Sequence, residues 1–149
     1  LMNNNFSFNS KFGWLSVYEE NKKIVSISFL KTKNTGNSEL LKKFKANIDN
    51  FFKKKTNQFN VSIKLKGNKL QKKIWQEIKK IKYGKTKSYN EIAKKLNISP
   101  RYVGKVCGQN KHLLVIPCHR VVRSDGSLGG FSARGGIQLK QKLLNFERE

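Results

Sequence analysis

Acidic residues are scarce in this chain. It has 9 against 32 lysines and arginines in 149 residues, a formal charge of +23. A balance so one-sided points to a polyanionic partner, most simply nucleic acid. Cysteine is limited to Cys107 and Cys118, which argues against a disulfide scaffold and for a reducing compartment. No apolar run is long enough to cross a bilayer, and nothing near the start resembles a signal peptide. The expectation is therefore an intracellular protein without membrane contact, cytoplasmic if prokaryotic; Leu1 ahead of Met2 reads as an expression remnant. The sequence holds no phosphate-cradling glycine loop and no dinucleotide fingerprint. Cys107, His112, Cys118 and His119 fall close together but lack the paired spacing of structural zinc ligands. Neither a metal nor a cofactor is expected.

What is present centres on Leu114-Val115-Ile116-Pro117-Cys118-His119-Arg120-Val121-Val122. Two short runs of branched apolar residues read as buried segments. Between them a thiol stands beside an imidazole and a guanidinium. A cysteine nucleophile needs a thiol that can become thiolate, a base to take its proton, and rigid support. The plainer reading is a buried packing cysteine. If the chain is extended here, Cys118 and His119 point to opposite faces, so the histidine would act through a bridging water. A third group should orient it, as in triad-like sites. Only Asp125, Glu147 and Glu149 follow the histidine among the acids. Glu147, ending an apolar-periodic segment, is the candidate, whereas Asp125 in Ser124-Asp125-Gly126-Ser127 suits a turn.

Taken in order, the chain suggests an N-terminal α/β unit over residues 1–66 and a C-terminal unit over 67–149. Phe12 to Tyr18 and Lys23 to Phe29 read as a hairpin across Glu19-Glu20-Asn21-Lys22. Ser38 can cap a helix with Leu41, Phe44, Ile48, Phe51 and Phe52 on one stripe, and Phe59 to Leu65 alternates like a further extended segment. After Gly67, Asn68 with Gln71 resembles a capping box opening a helix that buries Leu70, Ile74, Ile78 and Ile81 and ends at Tyr83-Gly84. Ser88 with Glu91 is a second such box, starting a helix from Tyr89 to Leu96. Ser99 then caps a helix from Pro100 to about Gln109, with proline at its favoured first position. These two helices form a helix-turn-helix pattern, packed through Ala93, Leu96, Val103 and Val106 and leaving Arg101, Tyr102 and Lys105 outward. All five arginines lie between Arg101 and Arg148, so specific contacts are expected in that third. Gly129-Gly130 and Gly135-Gly136 bracket a loop, and a last helix carries Leu139, Leu143, Leu144 and Phe146 to Glu147.

A cysteine nucleophile delivered to DNA implies an extruded base. On Pro117-Cys118-His119-Arg120-Val121, preceded by the helix-turn-helix with Tyr83-Gly84, Ser88-Tyr89, Arg101-Tyr102-Val103-Gly104 and Asn110, and followed by Leu143-Leu144-x-x-Glu147, the chain resembles the O6-alkylguanine-DNA alkyltransferases. The resemblance covers Leu70 to Glu147. It implies an α/β (α+β) protein: a small strand–helix N-terminal domain of ribonuclease-H-like outline, then a helical domain with a winged helix-turn-helix. By the same resemblance Cys118 takes the alkyl group from O6 of a flipped guanine once and irreversibly, without cofactor. The His119–Glu147 pair helps make the thiolate, Tyr89 rotates the nucleotide and donates to a guanine ring nitrogen, and Asn110 buttresses the turn before the cysteine. Arg101 enters the stack or, more simply, contacts phosphate. Ser88, Tyr102, Gly104, Lys105, Arg120, Gly129 and Phe131 fall among the DNA- and substrate-binding positions, Ser132 donates to the lesion oxygen, and carbonyls near Val115 and Cys118 read the guanine amino group. The partner implied is double-stranded DNA carrying O6-alkylguanine, bound by a monomer. The sequence departs from the family pattern at Lys111, at Phe131, and at Ala133-Arg134, which lengthens the loop by two residues. The competing class is a helix-turn-helix module that binds DNA or lesions without alkyl transfer.

Overall fold

The computed structural model describes residues 4–149; Leu1, read from sequence as an expression remnant, lies outside them. The chain divides into two compact units, the first ending at Leu65 and the second spanning Lys66–Glu149. Both mix helix and strand in an α+β arrangement.

The first unit is a three-stranded antiparallel sheet in the order β1-β2-β3, with β1 Asn4–Ser10, β2 Gly13–Glu20 and β3 Lys23–Ser28, followed by α1 Glu39–Phe52. The β2–β3 hairpin turns at Asn21 and Lys22, whose φ values of 51° and 62° are those of a two-residue turn matched to strand twist. Ser38 caps α1 by accepting from the Leu41 N–H at 3.2 Å. Leu41, Phe44, Ile48 and Phe51 bury the helix stripe together with Leu15, Val17, Ile24 and Ile27 of the sheet. Phe52, expected on that stripe, is half-buried. Two expectations change here. Strand β1 was not foreseen, because its Asn5 and Ser7 are polar; they are buried by hydrogen bonding to the segment at 32–35, including Asn5 Nδ2 to the Lys33 carbonyl at 2.8 Å. The stretch from Phe59 to Leu65 forms only a single parallel bridge, Ile24 with Ile63, rather than a full strand.

In the second unit α2 spans Lys69–Lys79, and its Asn68–Gln71 box is complete. The helix stops short of Tyr83-Gly84. Ile74, Ile78 and Ile81 are buried as expected, Leu70 only half-buried, and Trp75 joins the core. The second box, Ser88 with Glu91, starts α3 Tyr89–Leu96. Asn97 ends α3 in the left-handed conformation, and Ser99 then caps α4 Pro100–Cys107, which stops two residues before Gln109. Ala93, Val103 and Val106 fill the helix-turn-helix interior, while Leu96 is half-buried. A two-stranded parallel pair, β4 Lys87–Ser88 and β5 Val121–Val122, ties the start of α3 to the residues after the cysteine. The last helix, α5 Gly136–Arg148, buries Leu139, Leu143, Leu144 and Phe146.

Candidate active site

The support for Cys118 is built from the end of α4. The Asn110 N–H donates to the Cys107 carbonyl at 3.2 Å, and its side-chain amide donates to the Ile116 carbonyl at 2.8 Å. One asparagine therefore holds both ends of the connecting loop. Every residue from His112 to Val122 is buried. Pro117 interrupts the chain, and Cys118–Arg120 form a single 3-10 turn rather than the extended segment considered from sequence. The Cys118 N–H donates to the Ile116 carbonyl at 2.8 Å. The thiol thus starts a tight turn whose next two side chains face a different part of the fold.

Behind the turn lies a closed ionic cluster. Glu147, on the last turn of α5, meets His119 Nε2 at 2.8 Å. It also accepts from Arg120 Nε at 2.8 Å and from Nη2 at 2.9 Å, a two-pronged grip of the kind that fixes a carboxylate in direction as well as charge. Arg120 Nη1 donates to the Ile81 carbonyl at 2.7 Å. Burial pushes the Glu147 carboxyl up, but hydrogen bonds from His119 and Arg120 outweigh it and hold the group down at about 2. Burial lowers the His119 imidazole, against the pull of Glu147. A carboxylate only accepts, so His119 carries its proton on Nε2 and leaves Nδ1 as a free base. Arg120, not the imidazole, neutralises Glu147.

In front of the turn is an open cavity of about 620 Å³. Cys118, Tyr89, Arg101, Gly104, Gly129, Phe131 and Ser132 line it, together with Cys107 and Arg123. Its inner wall is braced by Lys140, 0% exposed, whose Nζ donates to Tyr89 Oη at 3.3 Å, to the Gly130 carbonyl at 3.1 Å and to the Leu128 carbonyl. Burial lowers this lysine to about 8. Burial also raises Tyr89, to about 12, aided by the nearby cysteines, so its phenol stays a hydrogen-bond donor. The Cys118 thiol is pushed well up, first by a thiol–thiol hydrogen bond with Cys107 and then by burial; Asn110 and Lys140 act the other way. Gly129 has φ +71°, and a Cβ there would lie 2.9 Å from Tyr89 Oη, so the loop can cross the tyrosine only as glycine.

Residues 69–149 match the family model for the 6-O-methylguanine DNA methyltransferase, DNA binding domain. The chain belongs to the 6-O-methylguanine DNA methyltransferase family. It is 38% identical over 146 residues to a methylated-DNA–protein-cysteine methyltransferase of Sulfolobus acidocaldarius, covering 94% of this chain and 90% of the relative. A second such relative, from Metallosphaera sedula, is 37% identical over 145 residues, 95% of this chain and 90% of its own. Among solved structures, Mycobacterium tuberculosis OGT in complex with DNA matches at TM-score 0.87 and 27% identity over 97% of this chain and 92% of that one. An O6-methylguanine DNA methyltransferase from Methanococcus jannaschii matches at TM-score 0.64 and 31% identity over 96% and 93%.

Against the family's pattern, the structure brings Cys118, Tyr89, Arg101, Gly104, Gly129, Phe131 and Ser132 to one cavity, with His119, Glu147 and Asn110 behind it. Tyr102 is half-buried and Lys105 exposed on α4, outside the cavity wall. Val115 is buried and does not line the cavity. Two residues expected at the DNA face have their side chains engaged within the fold. Arg120 is 6% exposed and divides its fork between Glu147 and the Ile81 carbonyl. The Ser88 side chain is buried and accepts from the Glu91 N–H at 3.0 Å as the cap of α3. Asp125 makes a turn, accepting from the Ser127 N–H at 2.9 Å. Lys140, Cys107 and Arg123 were missed. Lys140 carried a signal, since it lies three and four residues before Leu143 and Leu144 and so on the inward face of α5. Among the described residues no group of three or more His, Cys, Asp or Glu is placed to hold a metal ion, and no helix is long and apolar enough to cross a membrane.

Proposed function

We propose that this chain repairs double-stranded DNA by moving an alkyl group from O6 of guanine to the sulfur of Cys118, once per molecule. The observation that carries the reading is the position of Cys118: its front opens on the cavity shared with Tyr89 and Arg101, and its back adjoins the buried His119–Glu147 pair. The helix-turn-helix supplies the docking element, with Arg101 and Lys105 exposed on α4. A guanine turned out of the stack fits the cavity between Tyr89 and the Gly129–Ser132 loop.

The step balances without a cofactor. His119 Nδ1 takes the Cys118 proton through a water, and the sulfur attacks the alkyl carbon in line with the C–O6 bond. A carbon–sulfur bond forms as the carbon–oxygen bond breaks. The electron pair passes into the guanine ring, where the Tyr89 phenol supplies a proton or hydrogen bond to a ring nitrogen. Because Arg120 and Glu147 balance one another, the imidazole can accept that proton with a carboxylate already in place. In this reading Ser132 donates to the lesion oxygen and Arg101 occupies the space the base leaves, both from the cavity wall. The protein acts as a monomer inside the cell, with alkylated duplex as its partner.

The test is intact mass after incubation with a duplex containing O6-methylguanine. The expected result is a gain of one methyl at Cys118 and none in Cys118→Ser. Tight lesion binding with no gain in mass would leave a recognition module in its place.

A further inference from the structure

Cys107 has no part in alkyl transfer, yet it is the second thiol of the same cavity. It is the last residue of α4, and Cys118 is the first of the 3-10 turn. Asn110 folds the intervening loop back on itself by bonding the Cys107 carbonyl at 3.2 Å and the Ile116 carbonyl at 2.8 Å. The two side chains consequently turn to the same cavity: both are unpaired thiols, both are buried, both line its wall, and the neighbouring Cys107 is the first cause that pushes the Cys118 thiol up. A cavity open enough for a purine admits a small peroxide.

We propose that Cys107 is a resolving thiol, so that hydrogen peroxide joins Cys107 and Cys118 in a disulfide that takes the acceptor sulfur out of use reversibly. In the first step the Cys118 thiolate attacks one peroxide oxygen, the O–O bond breaks, and the departing hydroxide leaves as water once protonated. Cys118 is now a sulfenic acid. The Cys107 sulfur then attacks the Cys118 sulfur, the S–O bond breaks, and a second water leaves with the Cys107 proton. Two thiols have lost two electrons and one peroxide has become two waters. The consequence is protective, because a lone thiol oxidised beyond the sulfenic stage is not restored by simple thiols, whereas a disulfide is. For a protein that uses its sulfur once, that separates a stored acceptor from a lost one; this consequence rests on the reading of Cys118 as alkyl acceptor.

The experiment treats the reduced full-length protein with hydrogen peroxide and blocks remaining thiols with iodoacetamide. It reads intact mass and tryptic peptides without reductant, then methyl transfer from O6-methylguanine duplex before and after dithiothreitol. The expected result is loss of two hydrogens, a linked pair of peptides covering 106–111 and 112–120, and transfer restored by dithiothreitol to its untreated level. Cys107→Ser, compared with its own untreated activity, should gain oxygens at Cys118 and stay inactive after dithiothreitol. Oxygens on wild-type Cys118 with Cys107 still blocked by iodoacetamide, or no mass change at all, would overturn the proposal. So would a Cys107→Ser protein that recovers as fully as wild type. Absence of methyl transfer in untreated protein would sink the alkyl-acceptor reading instead, while the linked peptides would still report the bond.

Discussion

Arg120 and Arg101 carry the same guanidinium in the same unit, but they meet different surroundings. Arg120 is buried and divides its donors between Glu147 and the Ile81 carbonyl. Arg101 stands exposed on the first turn of α4 at the cavity wall. Lys140 and Lys105 repeat the contrast, one fully buried against Tyr89 and the loop carbonyls, the other exposed on the helix. A buried cation must have its charge and donors answered within the fold, and in doing so it fixes the groups that answer it. An exposed cation stays solvated until a phosphate replaces water and counterions. On the proposed function the inner pair should therefore govern stability and geometry, and the outer pair DNA contact and its dependence on salt.

The largest effect that would break this contrast is at Glu147. Glu147→Gln leaves Arg120 buried without its counter-charge, and breaking a buried pair from one side costs about 3–5 kcal/mol. Urea unfolding should show a loss of that order; a loss near zero would mean the cluster is not what holds α5 to the turn.

Acid should reach the same cluster. The Glu147 carboxyl sits at about 2 in the fold against an ordinary 4.5, so the unfolded chain binds this proton first as pH falls. Its stabilisation is complete above pH 4.5 and is lost on the way down to about 2, a change of about 3 kcal/mol. His119 is held below its ordinary 6.5 by burial, so below that pH the unfolded state again takes up the proton first and stability falls in the same direction. Urea midpoints measured from pH 7 downward should decline with both slopes in wild type. Glu147→Gln should lose the more acidic one.

How far the sequence revealed this arrangement depends on whether the deciding contact is local. The boxes at Asn68–Gln71 and Ser88–Glu91 are readable because cap and partner lie three residues apart. The Ser99–Pro100 start is readable for the same reason. The Pro-Cys-His-Arg motif marked the candidate nucleophile, and scarcity of acids after His119 left Glu147 as the candidate partner of the imidazole, which it meets at 2.8 Å. The inward turn of Arg120 was not readable because its direction is set by Glu147, 27 positions away, and a free arginine in a basic chain reads as a DNA contact. Lys140 was passed over for a related reason: a lysine reads as solvated, whereas the fold brings the Leu128 and Gly130 carbonyls and the Tyr89 hydroxyl to its ammonium. Strand β1 was hidden by buried polar residues, which carry no apolar alternation.

Next in size, Lys140→Met should leave the Leu128 and Gly130 carbonyls without their donor, at about 1–3 kcal/mol. With the loop loosened over Tyr89, alkyl transfer should slow by about tenfold on duplex and on free O6-benzylguanine alike, since about 1.4 kcal/mol is a factor of ten. Arg101→Ala sharpens the comparison from the other side. It should slow duplex repair by about tenfold for the same energy and leave the free base almost untouched. Equal slowing of both substrates by Arg101→Ala would remove its role in the stack.

The smallest effect belongs to Lys105, and it separates inner from outer charge most cleanly. Each phosphate neutralised releases counterions, contributing about −0.9 to the slope of log affinity against log salt. Lys105 is exposed on α4 and contributes no atom to the cavity wall, so its loss changes charge on the proposed DNA face without touching the cavity. Lys105→Gln should weaken duplex binding uniformly across sequences and reduce the magnitude of that slope by about 1, read by fluorescence anisotropy over a salt series. Lys140→Met removes the same formal charge from the same unit but should leave the slope unchanged, because that ammonium faces protein carbonyls rather than ions in solution. If both variants shift the slope equally, net charge alone drives DNA binding and the division between inner and outer cations fails.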